Sequence, residues 1–152
     1  MTAQKSRSNE DVKSAVDRFI LTLSQLQSVL AKETDFLKVA NQEAFLRMQE
    51  EKVAVAQAYQ RDVSAVRNVA KTLKEKYPNL VPFLQDKQAS LKSTLTENEQ
   101  ALKRMEKSTR RLSARIMDAA RQAAIEKNSL VYGSAGQLDH NKRASIGVSE
   151  SA

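Results

Sequence analysis

The chain of 152 residues has no cysteine and no tryptophan, three glycines, two prolines, four phenylalanines and three tyrosines. Without cysteine there is no disulfide, no thiolate metal site and no cysteine nucleophile. A composition poor in glycine and proline and rich in Ala, Leu, Lys, Glu, Gln and Arg favours an all-helical protein over one containing sheets. So few aromatics imply a narrow core of Leu, Val and Ala. The single histidine, His140, has no second ligand beside it, so neither a metal site nor acid–base chemistry is expected there. The chain also lacks a phosphate-binding glycine loop, zinc-ligand spacing and a nucleophile motif. An enzyme is therefore not expected, and no cofactor is implied. No apolar run is long enough to span a bilayer, and the polar segment from Met1 to Asp11 carries no signal-peptide core. A cytoplasmic protein without membrane insertion is the expectation.

What the chain does have is a sustained helical rhythm. From Asn79 to Tyr132 an apolar seam recurs at alternating spacings of four and three: Leu84, Gln88, Leu91, Leu95, Asn98, Leu102, Met105, Thr109, Leu112, Ile116, Ala119 and Ala123. This is the heptad of a helix packed lengthwise against others. No glycine or proline interrupts it after Pro82, so the spacing predicts one rod of roughly 75 Å. Asn98 and Thr109 are polar residues on that seam, the kind that fix register or oligomeric state.

The preceding residues supply two partners. Residues 1–8 have no apolar face and are expected to be disordered. Ser8 and Asp11 resemble a capping box. Helix one, about residues 9–40, then carries Val12, Val16, Phe19, Leu23, Leu26, Leu30, Leu37 and Ala40 on its seam, with Glu33 at a position where the rhythm asks for an apolar residue. Asn41 reads as the cap of helix two, about residues 42–76, whose seam runs Phe45, Met48, Val55, Tyr59, Val66, Val69 and Leu73, with Lys52 in an apolar place. In an antiparallel hairpin turning near Asn41, Glu33 and Lys52 stand at similar heights. They are expected to pair, as a device that sets register more than one that adds stability. Pro78 ends helix two, and Asn79 can cap helix three, about residues 80–131. Tyr77, Leu80, Val81 and Phe83 are expected to plug the turn end. The fold class is thus all-α: an elongated antiparallel three-helix coiled-coil bundle with a long third helix. Gly133 suits the left-handed position that ends a helix, and residues 133–152 read as a flexible tail.

Helix three is longer than its partners by something like 25 Å. Its last four turns, roughly Ala114 to Leu130, lack full coverage, and they carry an apolar stripe that calls for an external helix. Between Ala101 and Lys127 eight cations (Lys103, Arg104, Lys107, Arg110, Arg111, Arg115, Arg121 and Lys127) face three carboxylates (Glu106, Asp118 and Glu126) within a chain of net charge +7. No aromatic residues are interleaved and no nucleic-acid recognition motif is present. The stretch reads as a solvated face or as a dock for an acidic protein surface.

Several marks together resemble one family. They are Ala31-Lys32-Glu33-Thr34-Asp35-Phe36-Leu37, then Glu50-Glu51-Lys52, then Glu97-Asn98-Glu99-Gln100-Ala101-Leu102, the element Tyr132-Gly133-Ser134-Ala135-Gly136-Gln137, and a closing Lys142-Arg143-Ala144-Ser145-Ile146-Gly147-Val148. In order and spacing they resemble the FlgN-type flagellar export chaperones and cover nearly the whole chain. The resemblance implies a protein of the bacterial cytoplasm that holds the C-terminal helical segment of hook–filament junction proteins. It prevents their premature assembly and delivers them to the flagellar export gate and its ATPase complex. It implies substrate binding on the latter part of helix three and gate docking at Tyr132; the uncovered apolar stripe leads independently to the same region, where a substrate helix is expected to lie along Leu112, Ile116, Ala119, Ala123 and Leu130. A monomer or weak homo-oligomer is expected. Two other readings compete: a generic coiled-coil protein that dimerises or acts as an adaptor through the end of helix three, and a small basic nucleic-acid-associated protein.

Overall fold

A computed structural model describes the backbone of residues 2–149 and the side chains of residues 10–133. It is all-α: five helices, α1 (Thr2–Lys38), α2 (Gln42–Arg47), α3 (Gln49–Asn68), α4 (Ala70–Lys76) and α5 (Leu80–Ser149), with no strand among the described residues. The expected helix two is therefore three helices. Met48 (φ −88°, ψ −6°) stays in the right-handed helical region but interrupts the helix for one residue; Val69 (φ −104°, ψ 6°) leaves that region, and its amide bonds back only three residues, to the Val66 carbonyl at 3.2 Å. Neither site has the glycine or proline that would flag a break.

The end of α1 is closed by the backbone. Ala40 has φ 54°; its N–H donates to the Leu37 carbonyl at 3.3 Å, and the Asn41 N–H donates to the Phe36 carbonyl at 2.9 Å. This pair of bonds is a Schellman motif with alanine where glycine is usual. Ala40, expected on the apolar seam, is thus an exposed turn residue. Asn41 then caps α2 as expected: its side chain accepts from the Ala44 N–H at 3.1 Å.

The chain forms two units, residues 1–105 and 106–152. The core lies in the first. Val12, Val16, Phe19, Leu23 and Leu30 of α1 meet Leu73 of α4 and Leu84 and Leu91 of α5, with Leu26, Tyr59, Val63, Val66, Tyr77 and Leu80 packed around them. The ring centroids of Phe19 and Tyr59 are 5.8 Å apart. Glu33 meets Gln49 and Lys52 while Phe19 meets Tyr59, so α1 and α3 run in opposite directions. Gln27 donates to Ser90 and Thr94, and Asn98 reaches Leu30, Glu33 and Thr34, so α1 and α5 run the same way.

The α5 seam is rotated from expectation. From Leu84 onward its buried or half-buried positions are Leu84, Lys87, Leu91, Thr94, Asn98, Ala101, Leu102 and Met105. Lys87 and Thr94 replace the expected Gln88 and Leu95, the latter left 42% exposed, while Ala101 joins the expected Leu102. Thr94 faces inward because its hydroxyl accepts from Gln27 at 3.1 Å. At the Pro78 turn, Tyr77 and Leu80 pack on the core. Phe83 does not plug the turn; it lies outside, with the Lys87 ammonium 5.5 Å from its ring centre.

In place of the expected disordered N-terminus (1–8) and flexible tail (133–152) the backbone is helical, α1 beginning at Thr2 and α5 running to Ser149; the side chains of residues 1–9 and 134–152, with His140 and the Lys142-Arg143 cluster, lie outside the described ones. Gly133 itself does not end a helix: it is not left-handed, and α5 continues through it. An interior glycine costs only about 1 kcal/mol against alanine.

Candidate functional site

Two places carry the residues singled out by the sequence. The first is a polar cluster inside the apolar seam of residues 1–105. Glu33 has no exposed surface. Its Oε1 accepts from Lys52 Nζ at 2.8 Å and from Asn98 Nδ2 at 2.8 Å, and its Oε2 accepts from Gln49 Nε2 at 2.9 Å. Asn98, itself buried, also points its amide at Thr34 Oγ1 and the Leu30 carbonyl, both at 3.3 Å. Thr34 donates to that same carbonyl at 2.9 Å. Burial by itself pushes the Glu33 carboxyl upward. The bonds from Lys52, Gln49 and Asn98, with the Lys52 charge, outweigh burial and hold the group below the usual carboxylate range.

Glu33 and Lys52 therefore lie together, as their places on the two seams implied, but they are not an isolated pair. Gln49 and Asn98 complete the shell, and sequence reasoning had assigned neither to Glu33. One signal was available for Asn98: a polar residue on the third seam, with a buried charge needing donors. The cluster cannot do acid–base chemistry, since its carboxylate is sealed from any substrate. Among the described residues no group of three His, Asp or Glu side chains could hold a metal.

The second place is the stretch of α5 from Glu106 onward. Every residue from 106 to 133 is exposed. Leu112 and Ile116 are each 59% exposed, Leu130 76% and Tyr132 80%. Exposure begins eight residues before the expected Ala114, and the pairing within the first unit explains why. Asn98 lies opposite Glu33, an offset of 65 residues between two helices running the same way. The last residue of α1, Lys38, thus comes level with about residue 103.

On a helix turning 100° per residue, Leu112, Ile116, Ala119, Ala120, Ala123 and Leu130 fall within an arc of about 100°. Lys107, Arg110, Arg111, Arg115 and Arg121 spread over about 140° on the other side. The structure thus places all five expected substrate-binding residues on one exposed face. Tyr132 projects from a different side, closer in angle to Ile125. Met117 and Ile125, 57% and 67% exposed, were not in the expected set and lie off the stripe. Two cations have local partners: Arg110 bonds Glu106 at 2.6 Å and Arg121 lies 3.8 Å from Asp118. Such exposed pairs contribute little stability. Chemically, this surface can bury an amphipathic helix and favours acidic residues beside it.

No protein-family model, no curated protein and no solved structure matches this chain. No described helix is long and apolar enough to cross a membrane.

Proposed function

We propose that the chain is a FlgN-type export chaperone of the bacterial cytoplasm. It binds the C-terminal helical segment of hook–filament junction proteins, keeps them from assembling early and hands them to the flagellar export gate. The observation that carries this reading is the exposed amphipathic stretch of α5, on whose apolar face Leu112, Ile116 and Leu130 are 59%, 59% and 76% exposed. The order of the sequence marks, from Glu33 through the Tyr132-Gly133 element, adds to it. In this reading α1, the α2–α4 arm and the start of α5 act as an antiparallel three-helix coiled coil, with the Glu33 cluster setting register. The substrate helix lies along Leu112, Ile116, Ala119, Ala123 and Leu130, and Tyr132 docks at the gate.

Burying three large apolar side chains contributes about 1.5–3 kcal/mol each before the cost of ordering a disordered segment. The cationic flank speeds encounter and selects acidic partners. Copurification from the native cytoplasm, read by mass spectrometry, should recover hook–filament junction proteins in a one-to-one complex. Ala119→Asp, which sets a carboxylate in the middle of the exposed face, should weaken that complex at least about tenfold, or about 1.4 kcal/mol, with helical content unchanged. A stable homodimer without substrate would instead favour the coiled-coil dimerisation reading. Nucleic acid released by salt would favour the third.

A further inference from the structure

α3 runs for 20 residues yet contributes no fully buried side chain, although Tyr59, Val63 and Val66 lie against the core. Beside it runs a cleft of about 310 Å³. Phe19 of α1, Leu73 of α4 and Leu84 of α5 reach into it from the core. Half-buried Val63 and Val66 line it from α3 and Val81 from α5. The cleft passes over into a shallower stretch lined by Tyr59, Gln60 and Ser64. From Tyr59 to Lys74 its wall is built from the second half of α3 and from α4, with Val69 between them.

The charges are one-sided. Arg67 and Lys74 line the cleft with Gln85 and Gln88, and no carboxylate does; Asp62, Glu75 and Asp86 are near in sequence but form no part of the lining. The two cations stand on either side of Val69, Arg67 near the end of α3 and Lys74 on α4, and both line the cleft. An open apolar trough edged by two cations and no carboxylate complements an amphipathic helix whose apolar stripe is bordered by carboxylates. A lipid surface is too flat to enter a trough. A phosphate backbone could meet the cations but would leave Phe19, Val63 and Val66 facing charge.

We propose that this cleft is a docking site for an acidic amphipathic helix of a partner protein, lying beside α3 and α4 and against the start of α5. It is separate in residues from the exposed stretch after Met105 and does not depend on what that stretch binds.

Since the chain has no cysteine, Ser64→Cys gives one position, on the shallower stretch that adjoins the cleft, for an environment-sensitive dye. The probes are two synthetic helical peptides with the same leucine stripe, one bordered by glutamates and the other by lysines, titrated against the full chain. The glutamate peptide should shift the dye in a saturable way and bind at least tenfold more tightly than the lysine peptide. The double charge reversal Arg67→Glu with Lys74→Glu, at exposed positions, should invert that preference while circular dichroism stays the same. Ala70→Trp, which fills the cleft, should abolish the signal, and Ile116→Asp should leave it unaltered. Equal affinity for the two peptides, indifference to the charge reversal, or loss of binding with Ile116→Asp would each overturn the proposal.

Discussion

Glu33 keeps its charge inside the protein because both carboxylate oxygens are met by donors from two other helices. The linkage has a definite sign. A carboxyl whose folded-state pKa is depressed stabilises the fold above its unfolded pKa, about 4.3, and that contribution is lost as pH falls through the lower folded value. Urea unfolding should therefore show Glu33→Gln less stable than the native chain at pH 7, with the gap closing below about pH 4.3. Lys52→Met should cost about 1–3 kcal/mol at neutral pH by stripping one donor from a buried charge. A double-mutant cycle between the two residues should give a coupling of about 1 kcal/mol or more. Zero coupling would reduce Lys52 to a side chain that reaches water on its own. Both residues were legible because each breaks an apolar rhythm. Gln49 was not, and Asn98 was legible only as a polar seam residue: which amide meets the carboxylate depends on the rotation of three helices at once, and a one-dimensional pattern does not carry that.

At the level of elements, the sequence spoke most clearly where a side chain makes the structure. Asn41 caps α2 through its own oxygen, and Pro78 separates α4 from α5. It spoke least where the backbone alone decides. Nothing about Ala40 announces a left-handed residue, and nothing about Met48 or Val69 announces a break. The α5 seam could be read with either neighbour at its second position, because Thr94 and Leu95 differ by one step of the helix. Hydrophobicity favours Leu95; the bond to Gln27 settles on Thr94. Ala40 yields a sharp expectation. An L-residue held left-handed costs about 1–2 kcal/mol, and glycine escapes most of it while losing more chain entropy on folding. Ala40→Gly should thus stabilise the fold by about 0.5–1 kcal/mol, raising the midpoint of thermal unfolding. A decrease would mean that the Schellman closure does not persist in solution.

For the whole molecule, the division at Met105 separates helix held by packing from helix held by its own hydrogen bonds. The apolar face from Leu112 to Leu130 was legible as a stripe; where exposure begins was not, because element lengths do not reveal the offset at which α1 meets α5. That offset has a measurable consequence. Helices without tertiary burial are marginal in water, and their amides exchange through local openings of small free energy. Amides from Leu84 to Ala101 open only with the surrounding core. Hydrogen exchange on the free protein at low concentration should therefore show residues 108–132 exchanging at least about a hundredfold faster than those around Leu91 and Asn98. Adding the bound partner should slow exchange between Leu112 and Leu130 and leave the core amides nearly unaffected, since the partner covers only that face. Slow exchange along the stretch already in the free protein, persisting on dilution, would mean that the chain covers this face by itself. Slow exchange that disappears on dilution would mean that a second copy covers it, and the dimerisation reading would then displace the chaperone.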